Sequence, residues 1–149
     1  MFRFSMQTAL DVRGKQEKLK MKELAEKLAV QHGLQSGIDD IDTGIRNADQ
    51  QMNQAKQSGL INLSNLRQIE GYKHRMRVDR GRLEAKLKEA VVAAEAKRME
   101  LIEAAKKRRT LEILRDREKD RYDAHLAKLE RAFTDETATN QFVQQQRLA

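Results

Sequence analysis

The residues of this chain that could do chemistry are few. His32, His74 and His125 are scattered along 149 residues with no cysteine to join them, and no two stand four apart, the spacing that sets a pair of metal ligands on one helix face. The run Asp39-Asp40-Ile41-Asp42-Thr43-Gly44 superficially suggests a calcium loop. Its acids are wrongly spaced for one and no bidentate glutamate closes it, so a hydrated helix face is expected. There is no glycine-rich phosphate loop and no nucleophile beside a base. Catalysis needs convergent groups in a pocket, so the expectation is a non-enzyme with no cofactor, no metal and no small-molecule substrate.

Charge is the larger signal. The chain carries 30 Lys and Arg against 23 Asp and Glu, a net charge of +7, with an isoelectric point near 9.8. Residues 1–57 hold 9 basic against 8 acidic side chains, residues 58–149 hold 21 against 15. The densest part contains Lys73, Arg75, Arg77, Arg80, Arg82, Lys86 and Lys88, against only Asp79 and Glu84. Such a strip can attract phosphate or an acidic protein surface. The competing interpretation is a solvated helix face, because acids interleave elsewhere along the same stretch. A basic coiled-coil protein that binds nucleic acid is therefore the alternative function, opposed by the acids on that face and the shortage of aromatics for base stacking.

The elements that carry these residues follow from composition. The chain is 36% charged and 39% hydrophobic, with four Phe, two Tyr, no Trp and no Pro, and a mean hydropathy of -0.82. That is too polar for an ordinary globular core, while abundant Ala, Leu, Lys, Arg, Glu and Gln leave little to break long helices. The expected class is all-α, a long antiparallel two-helix coiled coil forming one elongated unit. The absence of cysteine suits a reducing compartment. Met1-Phe2-Arg3-Phe4-Ser5-Met6 carries no long apolar run, so neither a signal peptide nor a membrane span is expected, and the protein is expected to be cytosolic.

The main interruption is Gln57-Ser58-Gly59-Leu60-Ile61-Asn62, which has the residues of a hairpin turn. Gly59 can take a positive φ, and Ser58 and Asn62 can serve the free backbone groups of two helix ends. The expected organisation is a first arm over about residues 4–57, a turn over 58–62, a second arm over about 63–133 and a fraying tail over 134–149. In the first arm Leu10, Met21, Leu24 and Leu28 make a thin stripe shared with Gly14 and Glu17. Leu34, Ile38, Ile41, Ile45, Ala48, Met52 and Ala55 then alternate steps of four and three, the mark of a two-stranded seam. The gap of six from Leu28 to Leu34, beside Gly33 and Gly37, predicts a slip of register. Ser36 and Asp39 form a weak capping box there, at which the helix pauses and restarts. In the second arm Leu66, Ile69, Met76, Leu83, Leu87, Ala90, Ala94, Leu101 and Ala104 keep the alternation, with Lys73, Arg80 and Lys97 in the missed steps. Folding back at Gly59 makes partners of residues whose numbers sum to roughly 119. Past about residue 115 the second arm then outruns its partner, leaving Tyr122, Leu126, Leu129 and Phe133 without intramolecular cover beside Phe2 and Phe4.

Several local features coincide with a known pattern. Phe2-Arg3-Phe4 precedes Ala9-Leu10-Asp11-Val12-Arg13 and Gln16-Glu17, and Gly59-Leu60 opens the turn. Leu66-Arg67 and Tyr72 follow on the second arm, and Lys106-Lys107-Arg108-Arg109-Thr110-Leu111-Glu112-Ile113-Leu114-Arg115-Asp116-Arg117 leads into a helical tail. Over nearly its whole length the sequence resembles the flagellar export protein FliJ family, and more distantly the counterparts in type III secretion injectisomes. The resemblance implies a coiled-coil hairpin similar to the γ subunit of rotary ATPases, although γ and D-type stalks are generally longer and carry an extra segment between the arms. It implies three partners: the hexameric flagellar export ATPase, the export gate membrane protein and export chaperones. It also implies a cytoplasmic protein, peripheral at the cytoplasmic face of the inner membrane. The ATPase ring would meet Phe2, Phe4, Arg13, Arg109, Leu111, Leu114, Arg117 and Tyr122. The gate would meet Ile69, Tyr72 and Met76, an aromatic and an aliphatic residue four apart with Ile69 one turn before; Asp79 departs from the pattern, where a small residue is commoner. Nucleic acid is not an expected partner on this interpretation.

Overall fold

The computed structural model describes residues 2–59 and 62–148 and consists of two long helices, α1 (Gln7–Gln57) and α2 (Leu63–Leu148), packed against each other. Leu60 and Ile61 of the expected turn, like Met1 and Ala149, lie outside the described residues. At the end of α1 the Ser58 amide donates to the Gln54 carbonyl at 3.0 Å and the Ser58 hydroxyl to the Ala55 carbonyl at 3.0 Å. Gly59 follows at a φ of 69°, the left-handed conformation that ends helices at glycine. Asn62 then caps α2: its side-chain oxygen accepts from the Ser64 amide at 2.9 Å and its carbonyl from the Leu66 amide at 3.1 Å.

Helix α1 corrects the expected slip of register. It is uninterrupted over its 51 residues, with Ser36, Gly33 and Gly37 inside it and no restart at Ser36. Its covered positions run Leu10, Arg13, Glu17, Lys20, Leu24, Leu28, Gln31, Leu34, Ile38 and onward to Ala55, so steps of three and four bridge the supposed gap, and Lys20 and Leu34 on either side of it stand two whole heptads apart. Met21, assigned to the stripe on hydrophobicity, is 55% exposed. The seam is continuous because polar residues occupy it. Along α2 the covered positions are those expected, including Lys73, Arg80 and Lys97, and the alternation continues through Arg108, Leu111, Arg115 and Glu118 to Tyr122.

The residues form two compact units, and both helices contribute to each. The first, Lys18–Ile102, holds the hairpin. Its seam buries Ile38, Ala48 and Ala94, and charged seam positions find partners across it. Lys73 donates to Asp49 at 2.6 Å, Arg80 to Asp42 at 2.7 Å, Lys97 to Glu23 at 2.9 Å and Lys20 to Glu100 at 2.8 Å. Numbers rising on α2 as they fall on α1 are the antiparallel register that the fold-back requires. Long Lys and Arg stems cover apolar surface while their heads reach an acid at the edge, so a charged seam need not open the interface.

The second unit joins the described residues up to Glu17 with those from Glu103 onward. Phe4 and Leu10 are buried here, Arg108 bridges Glu17 and Glu112, and the rings of Phe2 and Tyr122 meet at 5.7 Å between centroids, tilted by 50°. Beyond Tyr122, Leu126, Leu129, Phe133 and Phe142 are exposed. Helix α2 nonetheless continues to Leu148 instead of stopping near Phe133. Thr134, Thr137 and Thr139, whose type favours caps and turns, each donate at 2.8 Å to the carbonyl four residues back, which satisfies their hydroxyls within the helix.

The ion pairs make stability depend on pH at both ends of the scale. Lys97 holds the Glu23 carboxyl below its ordinary 4.5, Lys20 does the same for Glu100, and Arg80 holds Asp42 below 3.8. A carboxyl depressed in the folded state stabilises above its unfolded value, and that contribution is lost as pH falls through the folded value. Conversely, Asp49, Glu23 and Glu100 raise Lys73, Lys97 and Lys20 above 10.5. Their contribution is complete below 10.5 and disappears as pH rises through the folded values. The thermal midpoint of the helical circular dichroism signal should therefore be flat between these limits and fall outside both. A midpoint that climbs on acidification would contradict the pairing.

Candidate partner-binding surfaces

All eight side chains expected to meet an ATPase ring fall within the unit formed by the two ends of the described chain. Sequence separation hides this; the fold-back produces it. Their surroundings differ. Phe4 is only 5% exposed, so it acts as packing that holds the N-terminal segment on α2. Phe2, Tyr122 and Leu111 are half-buried along the seam. Arg13 is also half-buried and donates to Gln16 at 2.9 Å. Arg109, Leu114 and Arg117 are exposed, with Arg109 reaching Glu112 at 3.3 Å. The directly accessible part of this surface is thus basic and aliphatic, around an aromatic closure. Arg115 and Lys119, which line a hollow with Phe2 and Phe4, were not among the residues expected to meet the ring.

The second candidate surface lies in the hairpin unit. Ile69 and Met76 are half-buried in the seam, whereas Tyr72 is 36% exposed beside it. Tyr72 leans across α1: a Cβ built on Gly44 would lie 2.7 Å from its hydroxyl oxygen. Gly44, Asn47, Ala48 and Gln51 of α1 share a shallow hollow with Gln68, Ile69 and Tyr72 of α2. The α1 half of this surface was missed, although the fold-back register pairs Gly44 with roughly residue 75, one helical turn from Tyr72. Asp79 is half-buried and accepts from Arg82 at 3.3 Å.

The basic strip is not one face. Lys73 is 6% exposed and Arg80 is half-buried, both turned into the seam towards acids of α1, while Arg75, Arg77, Arg82, Lys86 and Lys88 are exposed. The Asp39–Gly44 run is helical, as the sequence required; Asp42 accepts from Arg80, and the Asp39 carbonyl accepts from Thr43 at 2.9 Å.

The family model of the flagellar FliJ protein matches residues 2–147. The chain belongs to the FliJ family. No curated protein and no solved structure matches it. Membership in the FliJ family makes the chain a component of the flagellar export apparatus, and the match spans both candidate surfaces. Among the described residues of this FliJ-family chain, no helix is long and apolar enough to cross a membrane.

Proposed function

We propose that this FliJ-family chain is the non-catalytic central stalk and adaptor of the flagellar export apparatus. The unit carrying Phe2, Phe4, Arg13, Arg109, Leu111, Leu114, Arg117 and Tyr122 enters the pore of the hexameric export ATPase, and the surface at Ile69, Tyr72 and Met76 meets the export gate membrane protein. Export chaperones are further partners. The chain works at the cytoplasmic face of the inner membrane as a single hairpin, without cofactor or small-molecule substrate. The observation that supports the ring contact best is the convergence of those eight residues in one compact unit closed by the Phe2 and Tyr122 rings. Exposed Arg109 and Arg117 give that unit positive charge that an acid-lined pore can attract, and exposed Leu114 gives it apolar surface to bury. An asymmetric object in a six-fold ring contacts its subunits unequally, which biases their nucleotide states and favours ring assembly and turnover.

The test is a pull-down with the cognate export ATPase together with ATPase rates in its presence and absence. Association and stimulation are expected; neither being seen would sink the proposal. The nucleic-acid alternative loses support from the inward-turned Lys73 and Arg80. It would be revived only by firm DNA binding that falls steeply with added salt.

A further inference from the structure

We infer that Gly44 of α1 is a positioning residue that holds Tyr72 of α2 in the orientation needed at the gate-binding surface. The inference rests on the proposed gate contact at Ile69, Tyr72 and Met76, and it extends that surface from one helix to two. A glycine in a helix interior is a poorer helix former than alanine, and Gly44 has an ordinary helical backbone, so neither propensity nor conformation calls for it. What calls for it is space. A Cβ at this position would stand 2.7 Å from the Tyr72 hydroxyl oxygen and 3.8 Å from the ring carbon that bears it. Gly33, in the same helix, has nothing within 4 Å of the corresponding point.

The consequence is a ring parked across the two helices before any partner arrives. Tyr72 forms a wall of the hollow whose buried floor is Ala48 and whose rim includes the carboxamides of Asn47 and Gln51. Ordering a side chain in advance removes that cost from binding. The atom that a Cβ would strike is the far end of a flexible side chain, so Gly44→Ala leaves the helix intact and turns Tyr72 out of its seat. The hollow loses its wall, and the partner meets a side chain in the wrong place.

The experiment compares the full-length chain with Gly44→Ala, Gly33→Ala and Tyr72→Ala. It measures affinity for the export gate protein, thermal midpoint, and the ring resonances of the two tyrosines, Tyr72 and Tyr122. Both glycine variants are expected to hold or raise the midpoint. Only Gly44→Ala should shift the Tyr72 ring signals, and it should weaken gate binding by roughly 2- to 12-fold, the factor associated with ordering one side chain, and by no more than Tyr72→Ala does. If Tyr72→Ala weakens binding while Gly44→Ala changes neither affinity nor ring signals, the positioning role is overturned and the gate contact stands. If Tyr72→Ala binds the gate as the parent does, the gate contact itself is overturned. Ring signals unmoved in Gly44→Ala overturn the positioning role whatever the gate does.

Discussion

Phe4→Ala should release the N-terminal segment from α2 while leaving most of the protein folded. Phe4 is 5% exposed, and beside Leu10 it is the main buried apolar side chain of its unit. Truncating a buried Phe costs about 3–5 kcal/mol, and the low end applies where the surroundings can collapse into the space, as the end of a two-helix seam can. The loss is local because the hairpin unit has its own seam, anchored by Ile38, Ala48 and Ala94. A loss of about 3 kcal/mol is a factor on the order of 100 in local opening. Hydrogen exchange around Leu10 should accelerate by that order, with exchange around Ile38 unchanged. Stimulation of the export ATPase should fall with it, because Phe2 and Tyr122 then lose the contact that closes the end. Retained protection at Leu10 would show that Phe4 does not hold this segment.

Lys73 offers the second large effect, of opposite sign. Its ammonium lies in the seam, donating to Asp49 at 2.6 Å and to Glu70 at 3.2 Å. Replacing a buried ion pair by apolar packing is often neutral or stabilising, whereas removing one partner strands the other. Lys73→Leu should therefore hold or raise the thermal midpoint, since leucine keeps the apolar cover that the lysine stem gives the seam and removes the need to seat an ammonium there. Asp49→Ala should lower the midpoint, only in part because Glu70 remains. With leucine already at 73, Asp49→Ala should cost almost nothing. If Asp49→Ala costs as much in that background as in the parent, the two residues are not coupled.

The same residues explain what could be read from sequence. On α2 the seam was legible because Leu66, Ile69, Met76, Leu83 and Leu87 mark it often enough for Lys73 and Arg80 to be interpolated. On α1 the seam positions Arg13, Glu17, Lys20 and Gln31 are polar, so hydrophobicity drew the stripe through Met21 and invented a slip. What places Glu17 and Lys20 in the seam is their partner on the other helix, Arg108 and Glu100 respectively, and a single-helix pattern does not contain it. The turn was legible because its chemistry is local: Gly59 supplies the positive φ and Asn62 the cap. The continuation of α2 past Phe133 was not, since threonine hydroxyls can cap a helix or bond back into it with equal ease. Of the candidate sites, the fold-back brought Phe2, Phe4 and Tyr122 to one end but left Tyr122 uncovered, whereas its ring meets that of Phe2; the seat of Tyr72 on Gly44 depends on a ring orientation that spacing does not encode.

Crosslinking decides which surface of the chain meets the ATPase ring. A photo-crosslinking amino acid at Leu114, which is exposed in the proposed ring-binding unit, should join the chain to the export ATPase in the assembled complex. The same group at Val92, exposed in the hairpin unit, should not. Crosslinks to the ATPase from position 92 and none from position 114 would contradict insertion by the aromatic-closed end.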